Sequence, residues 1–155
     1  KASAILSEMR VPFVINQNRY NILDRTVEQN GLKETASKLE KGIICFTPLA
    51  QGVLTDRYLR GIPADSRVRT DSRFLKESSL TEEKIGQVRR LNEIAKGRGQ
   101  TLAEMALAWI LKDDAVTSVL IGASKPSQIL DNIKAIENTA FSAEELRMID
   151  EAVMG

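Results

Sequence analysis

The sequence predicts an α/β fold with parallel strands. Short apolar runs at residues 13–17, 43–46 and 116–122 are separated by stretches with helical periodicity. In the first run the apolar residues follow one another without alternation, which is typical of a strand covered on both faces. Repeated βα units imply parallel strands joined by crossovers. Periodicity does not separate a small doubly wound sheet from part of a (β/α)₈ barrel, although the absence of a Gly-x-Gly-x-x-Gly turn weakens the first.

The first part of the chain supplies the first two strands. A helix ends near Met9 before the strand at 13–17, and helical periodicity then runs from 24 to 41, until Gly42. The second strand follows at 43–46. Residues 47–80 have no sustained periodicity, and a connection of that length is more often functional than idle.

Helix-capping residues organise the rest of the chain. Thr81 and Thr101 each begin a helix, and the second also has the Thr-x-x-Glu pattern of a capping box. The third strand, at 116–122, leads through a polar turn into a helix, and Ser142 caps the last helix.

Composition excludes several function classes. The 22 Lys and Arg against 21 Asp and Glu leave a net charge of +1, too balanced for a protein whose main partner is nucleic acid. One cysteine forms no internal disulfide, and no apolar run approaches the ~20 residues that span a bilayer, so we expect a cytoplasmic protein without membrane insertion. Without histidine, the chain offers no His-rich zinc site and no Ser-His-Asp triad.

The connection at 47–80 is more basic than the whole chain. Between residues 56 and 76, six Lys and Arg stand against three Asp, a local balance of +3. Loop arginines are ordinarily solvated, but a planar guanidinium also suits phosphate oxygens.

Four motifs, in order along the chain, give the sequence a family resemblance. They are Gln17-Asn18-Arg19-Tyr20-Asn21, Phe46-Thr47-Pro48-Leu49-Ala50-Gln51-Gly52-Val53-Leu54-Thr55, Gly61-Ile62-Pro63-Ala64-Asp65-Ser66-Arg67, and the segment from Val119 to Asn132. Together they resemble the aldo-keto reductases, close to the branch of potassium-channel β subunits and bacterial glyceraldehyde 3-phosphate reductases. The resemblance covers nearly all 155 residues.

The resemblance implies a (β/α)₈ barrel of roughly 250 residues or more, of which residues 1–155 form the C-terminal part. By resemblance, the chain contains the last three βα units and the C-terminal helices, whereas the family's catalytic Asp, Tyr, Lys and His belong to the absent N-terminal half. No catalytic residue and no metal ligand is therefore assigned in this chain, and the resemblance does not imply that the chain alone is active.

The same resemblance implies that most of an NADPH site is present. Gln17 matches the residue that hydrogen-bonds the nicotinamide carboxamide, and Phe46 matches the aromatic residue that stacks on the nicotinamide ring. The following loop would meet the pyrophosphate with its backbone, and two arginines would reach the cofactor phosphates. These residues are Thr47, Pro48, Leu49, Ala50, Gly52, Arg57 and Arg67. Without the motif, Gln17 would read as a solvent-exposed strand end and Phe46 as core.

The last motif matches the adenosine end of the cofactor site. By resemblance, Ser124 and Lys125 hold the 2′-phosphate at a helix N-terminus, which favours NADPH over NADH. The family pattern Ser-x-x-x-Gln-x-x-Glu-Asn reads the adenine, and in this sequence Asp replaces its Glu. The residues of this group are Gly122, Ser124, Lys125, Gln128, Asp131 and Asn132.

Three functional hypotheses follow. The first is an NADPH-dependent reductase of an aldehyde or ketone, favoured because Phe46 and Gln51 stand where the channel branch has Trp and Cys. The second is an NADPH-binding regulatory β subunit of a potassium channel. The third is a non-catalytic half-barrel whose open sheet edges drive homo-oligomer formation or aggregation.

Overall fold

Three parallel strands form one sheet in the part of the chain that the computed structural model describes, residues 1–70, 73 and 75–154, with Arg67 and Thr70 described by their backbone alone. Strand β1 (Ile15–Arg19) pairs with β2 (Gly42–Phe46), which pairs with β3 (Ser118–Val119). The β1–β2 register runs from Ile15 opposite Gly42 to Arg19 opposite Phe46. Since all three strands are parallel, their carboxyl ends meet at one edge of the sheet.

Helices lie before, between and after the strands. They are α1 (Ala2–Glu8), α2 (Thr26–Gln29), α3 (Leu32–Lys38), α4 (Arg67–Thr70), α5 (Glu82–Gly97), α6 (Leu102–Ile110), α7 (Pro126–Ile133) and α8 (Ala143–Met154). Single 3₁₀ turns occupy Ala50–Gly52, Asp56–Tyr58, Glu77–Ser79 and Lys134–Glu137. None of the helices described is both long and apolar enough to cross a membrane.

The predicted caps form as the sequence indicates. Thr81 Oγ1 accepts an N–H from the first turn of α5. At α6, the Thr101 N–H donates to Glu104 Oε2 at 2.7 Å and the Glu104 N–H donates to Thr101 Oγ1 at 3.2 Å. Ser142 makes the same reciprocal pair with a glutamate at the start of α8. These bonds satisfy N–H groups that have no partner inside the helix.

One face of the sheet carries the hydrophobic core. Ile43 and Cys45 point from β2 into this face and are fully buried. They belong to one cluster with Leu91 of α5, Trp109 of α6 and Ile149 of α8. Cys45 therefore packs as a small apolar side chain, and burial raises the pKa of its thiol to about 11.

The other face of the sheet is open. Ile15, Gln17 and Arg19 of β1 are exposed, and Ile44 and Phe46 of β2 are only half-buried. The sequence-based expectation that the first strand is covered on both faces is therefore wrong. The apolar run marks a strand whose second face needs a cover that these residues do not supply.

Exposed apolar side chains continue beyond the open face onto both flanks of the sheet. Met9 and Val14, which precede β1 in the chain, are 66% and 74% exposed, and Leu130 and Ile136, which follow β3, are each 65% exposed. Side chains of this size are normally buried when they occur in groups. Apolar side chains are therefore packed on one side of the sheet and left exposed on the other.

Several element boundaries differ from those predicted. The strand expected at 13–17 lies at Ile15–Arg19, and the strand expected at 116–122 is reduced to Ser118–Val119 because only those residues pair with β2. The helix expected from 24 to 41 is two helices, since Gly31 adopts a left-handed conformation with φ of 72° between them.

A buried polar cluster joins the end of β1 to the end of α6. The Tyr20 hydroxyl donates to the Glu28 carboxylate, and Lys112 Nζ lies 3.4 Å from Tyr20 Oη and 3.7 Å from the Trp109 ring centroid. Burial lowers the pKa of Lys112 to about 8, and burial also raises the pKa of Tyr20. The cluster belongs to the covered side of the sheet.

Candidate functional site

The candidate site begins on the open face, at the carboxyl ends of β1 and β2. Gln17 and Phe46 point to this same face, because Gln17 lies opposite Ile44 and Phe46 lies two residues further along the strand. The strand geometry separates their Cα atoms by roughly 8 Å. The amide and the aromatic ring predicted to contact a nicotinamide are thus neighbours on an accessible surface.

Arg19 lies on the same face as Gln17 and Phe46, and the sequence analysis did not select it as a candidate site residue. It is the register partner of Phe46 on the open face, and its side chain is 62% exposed. Its ion pair with Asp24 is long, at 3.7 Å. The signal was the two-residue spacing from Gln17, since strand residues two apart share a face.

The loop after β2 has several residues in the left-handed region of the backbone. Thr47, Ala50, Gln51 and Gly52 all have positive φ, between 47° and 92°. Pro48 is buried, and Leu49 and Ala50 pack against the core. This backbone is strained for every residue except glycine, and such strain is concentrated at functional segments.

The loop uses several of its N–H groups within its own turns. The Ala50 N–H donates to Thr47 O at 3.0 Å, and the Gly52 N–H donates to Leu49 O at 2.8 Å. The N–H groups of Val53 and Leu54 are also bonded inside the loop. The backbone contact predicted for a pyrophosphate is consequently limited to the remaining N–H groups, or needs these turns to open.

Asn21 anchors this loop to β1. The side chain, 2% exposed, donates through Nδ2 to Thr47 O at 2.9 Å and accepts through Oδ1 from the N–H groups of Leu23 and Asp24. Thr47 Oγ1 is buried, and none of the residues that the structure describes forms a hydrogen bond with it. An unpaired buried hydroxyl beside the candidate site is a costly feature that a bound polar group, reached by movement of the loop, would relieve.

The two predicted arginines have different positions. The Arg57 guanidinium contacts Asp65, donating to its backbone oxygen at 2.9 Å and pairing with its carboxylate at 2.8 Å. Arg57 is therefore already held by a carboxylate. The side chain of Arg67 lies outside the described part of the structure.

The third segment of the site lies after β3, at the start of α7. Gln128 Oε1 accepts from the Ser124 N–H at 2.8 Å, from Ser124 Oγ at 3.2 Å and from the Lys125 N–H at 3.2 Å. Three donors thus converge on one oxygen at a helix N-terminus. An oxygen of a bound anion could take the place of the Gln128 oxygen there.

The remaining residues of this segment surround that turn. Gly122 is exposed, and a Cβ placed there would meet nothing within 4 Å. Asp131 is exposed and pairs with Lys134 at 3.0 Å, while Asn132 is half-buried. The backbone around Gly122 therefore leaves room for a ligand.

Parallel pairing brings these three segments to one edge of the sheet. Gln17 and Arg19 end β1, Phe46 ends β2, and residues 120–125 follow β3. The arrangement can present a flat ring, an amide and several cationic or N–H donors to one extended anionic ligand. Loops at the carboxyl ends of parallel strands are where α/β proteins place such sites.

Comparison with known proteins identifies relatives over the whole chain. The profile of the aldo/keto reductase family matches residues 1–154. The chain is 47% identical over 156 residues to the L-glyceraldehyde 3-phosphate reductase of Escherichia coli K12. This match covers 99% of this chain and 45% of that protein. It is 37% identical over 142 residues to a putative voltage-gated potassium channel subunit beta of Schizosaccharomyces pombe, covering 89% of this chain and 41% of that protein.

Solved structures match the fold at similar coverage. A thermostable aldo-keto reductase in complex with the inhibitor epalrestat matches with a TM-score of 0.67 and 27% identity, covering 97% of this chain and 43% of that structure. The glycerol dehydrogenase of Gluconobacter oxydans matches with a TM-score of 0.73 and 23% identity, covering 95% and 46%. The chain thus spans less than half the length of these relatives.

Proposed function

Because the chain belongs to the aldo/keto reductase family, we propose that it supplies the cofactor-binding part of a reductase that acts on an aldehyde or ketone with NADPH. We assign its three βα units and C-terminal helices to the last part of the family's (β/α)₈ barrel. The observation that carries the proposal is the meeting of three segments at one sheet edge, with Phe46 and Gln17 on the open face.

Gln17 and Phe46 would bind and orient the nicotinamide. An amide both donates and accepts, so the Gln17 side chain matches a carboxamide, and the Phe46 ring supplies a flat surface for stacking. The half-buried position of Phe46 leaves part of its ring accessible. Stacking on one side fixes which face of the nicotinamide is turned toward a substrate.

The start of α7 would bind the 2′-phosphate. Gln128 now accepts the N–H groups of Ser124 and Lys125, so its side chain must turn away when a phosphate takes those donors. The Ser124 hydroxyl and the Lys125 ammonium add a further donor and a charge. This chemistry favours NADPH, which carries that phosphate, over NADH, which lacks it.

Bound NADPH supplies the hydride for the reduction of a carbonyl carbon. This chain's residues bind and orient the cofactor, and we assign none of them a proton-transfer role. Arg19 lies beside Phe46 with an exposed guanidinium, which suits a carbonyl substrate with an anionic group. The curated relative named for L-glyceraldehyde 3-phosphate has a substrate of that kind.

The enzyme hypothesis is favoured over that of a channel subunit. Identity is 47% to the reductase and 37% to the putative channel subunit. Both hypotheses use the same cofactor site, so the binding experiment below tests what they share.

Calorimetric titration of the chain with NADPH and with NADH, at low salt, tests the proposal. We expect NADPH to bind more tightly by roughly tenfold or more, which corresponds to about 1.4 kcal/mol. In a Ser124→Ala/Lys125→Gln double variant, the affinity for NADPH should fall to that for NADH, and the affinity for NADH should not change.

A third variant separates the two ends of the site. Phe46→Ala should weaken NADPH and NADH by the same factor, because both carry the nicotinamide. Equal affinity of the unmodified chain for the two nucleotides would reject the assigned role of Ser124 and Lys125. Absence of binding by both nucleotides would reject the proposal for this chain.

A further inference from the structure

A basic cleft lies between the 3₁₀ turn at Asp56–Tyr58 and the exposed side of α5. Its volume is about 570 Å³, and it opens to solvent. One wall comes from the turn and the residues after it, and the other from α5 positions spaced by three and four residues, which share one helix face. Its charged residues are Asp56, Arg57, Arg60, Arg89, Glu93 and Lys96.

The charges of the cleft are unevenly paired. Arg57 is held by Asp65, and Lys96 pairs with Glu93 at 2.7 Å. For Arg60 and Arg89, on opposite walls, the described residues supply neither a hydrogen bond nor an ion pair. Four cations against two carboxylates give the cleft a local charge of +2.

We propose that this cleft binds a diphosphate group, with Arg60 and Arg89 as the principal contacts; neither is assigned to NADPH, and the cleft shares only Arg57 with that assignment. Each guanidinium presents a planar fork of N–H donors that matches two phosphate oxygens. Two forks on facing walls suit two linked phosphoryl groups better than one. Asn92, on the α5 wall, adds an amide donor, and Lys96 adds charge at one end.

The nearly neutral charge of the whole chain makes such a site specific. The net charge is +1, so an anion is not attracted equally to the entire surface. Asp56 and Glu93 in the cleft oppose a single loosely held anion, since each repels a ligand that lacks strong compensating contacts. A ligand that engages both the Arg60 and the Arg89 guanidinium gains enough to offset that repulsion.

Calorimetric titration of the chain with inorganic pyrophosphate at low salt tests the proposal. We expect saturable binding with one site in the cleft, and an Arg60→Gln/Arg89→Gln double variant should bind at least tenfold more weakly. Arg89→Lys keeps the charge and loses the fork, so it should weaken binding severalfold. All these residues are exposed, and unchanged thermal melting would show that the variants remain folded.

Two control variants decide between this cleft and other sources of binding. Arg10→Gln/Lys38→Gln removes the same charge from exposed residues outside the cleft and should leave the affinity unchanged. Ser124→Ala/Lys125→Gln removes the phosphate contacts proposed at α7, and in that background the loss caused by Arg60→Gln/Arg89→Gln should still be at least tenfold. An equal loss in the first control would show nonspecific attraction. Absence of a loss from Arg60→Gln/Arg89→Gln in the second background would place the ion at α7, and no saturable binding would reject the site. Any of these outcomes overturns the proposal, whatever the result with NADPH.

Discussion

The two faces of the sheet differ although one strand supplies both. On β2, Ile43 is fully buried in the core cluster that also contains residues of α5, α6 and α8, while its neighbour Ile44 points to the open face and is half-buried. Both residues are isoleucine, so the sequence gives the two positions equal hydrophobicity. The difference arises from what packs on each face, and it separates the part of the chain that stabilises the fold from the part that carries the candidate site.

The largest expected effect comes from that pair of neighbours. Ile43→Ala removes packed atoms from the core and should lower the free energy of unfolding by about 3 kcal/mol, while Ile44→Ala should cost about 1 kcal/mol. Loss of β propensity is common to both variants, so the difference reports burial. Urea denaturation of the two variants gives both values. Equal losses would show that the open face is covered in solution, and the midpoint would then depend on protein concentration.

Much of the covered side could be predicted from the sequence. The caps at Thr81, Thr101 and Ser142 depend on local bonds, so their patterns alone identify the helix starts. The break at Gly31 was missed, because the apolar spacing continues across it and the left-handed glycine gives only a weak signal.

The open side could be predicted less well. Apolar runs predict burial, but Val14 and Ile15 remain exposed because none of the described residues of this chain covers them. The spacing of two residues places Arg19 on the same face as Gln17, but its position opposite Phe46 depends on the β1–β2 register, which single-strand periodicity does not supply. The engagement of Arg57 by Asp65 depends on the loop conformation and has no sequence signature.

The second prediction concerns pH and the polar cluster on the covered side. The pKa of Lys112 is about 8 in the folded chain, against an ordinary value of 10.5. Between these values the unfolded chain binds a proton that the folded chain does not, so the free energy of unfolding rises with pH, by at most about 1.4 kcal/mol per unit. Below pH 8 the folded protein bears the full cost of the buried ammonium.

Lys112→Met should abolish this rise, and denaturation of both chains between pH 8 and 10 measures it. The difference in free energy of unfolding between wild type and variant should change by about 2 kcal/mol over this range. The raised pKa of Cys45 lowers the stability of both chains above pH 9, so it cancels in the difference. Lys38→Met, at an exposed position, is the matched control and should leave the pH profile unchanged. Parallel profiles for Lys112→Met and wild type would contradict the burial of the ammonium.

The smallest change in stability is expected at α7, where apolar side chains are exposed. Leu130 and Ile133 are 65% and 51% exposed, so Leu130→Ser/Ile133→Ser should change the free energy of unfolding by less than about 0.5 kcal/mol. The same variant should reduce self-association, because contiguous exposed apolar surface drives contact between copies. Light scattering during size-exclusion chromatography measures the mass. Lys134→Ser/Glu137→Ser, on the same segment, removes no apolar surface and should associate like wild type. A wild-type chain that remains monomeric at high concentration and unfolds cooperatively would show that the open face needs no second copy to cover it. The two faces would then differ in packing but not in their tendency to associate.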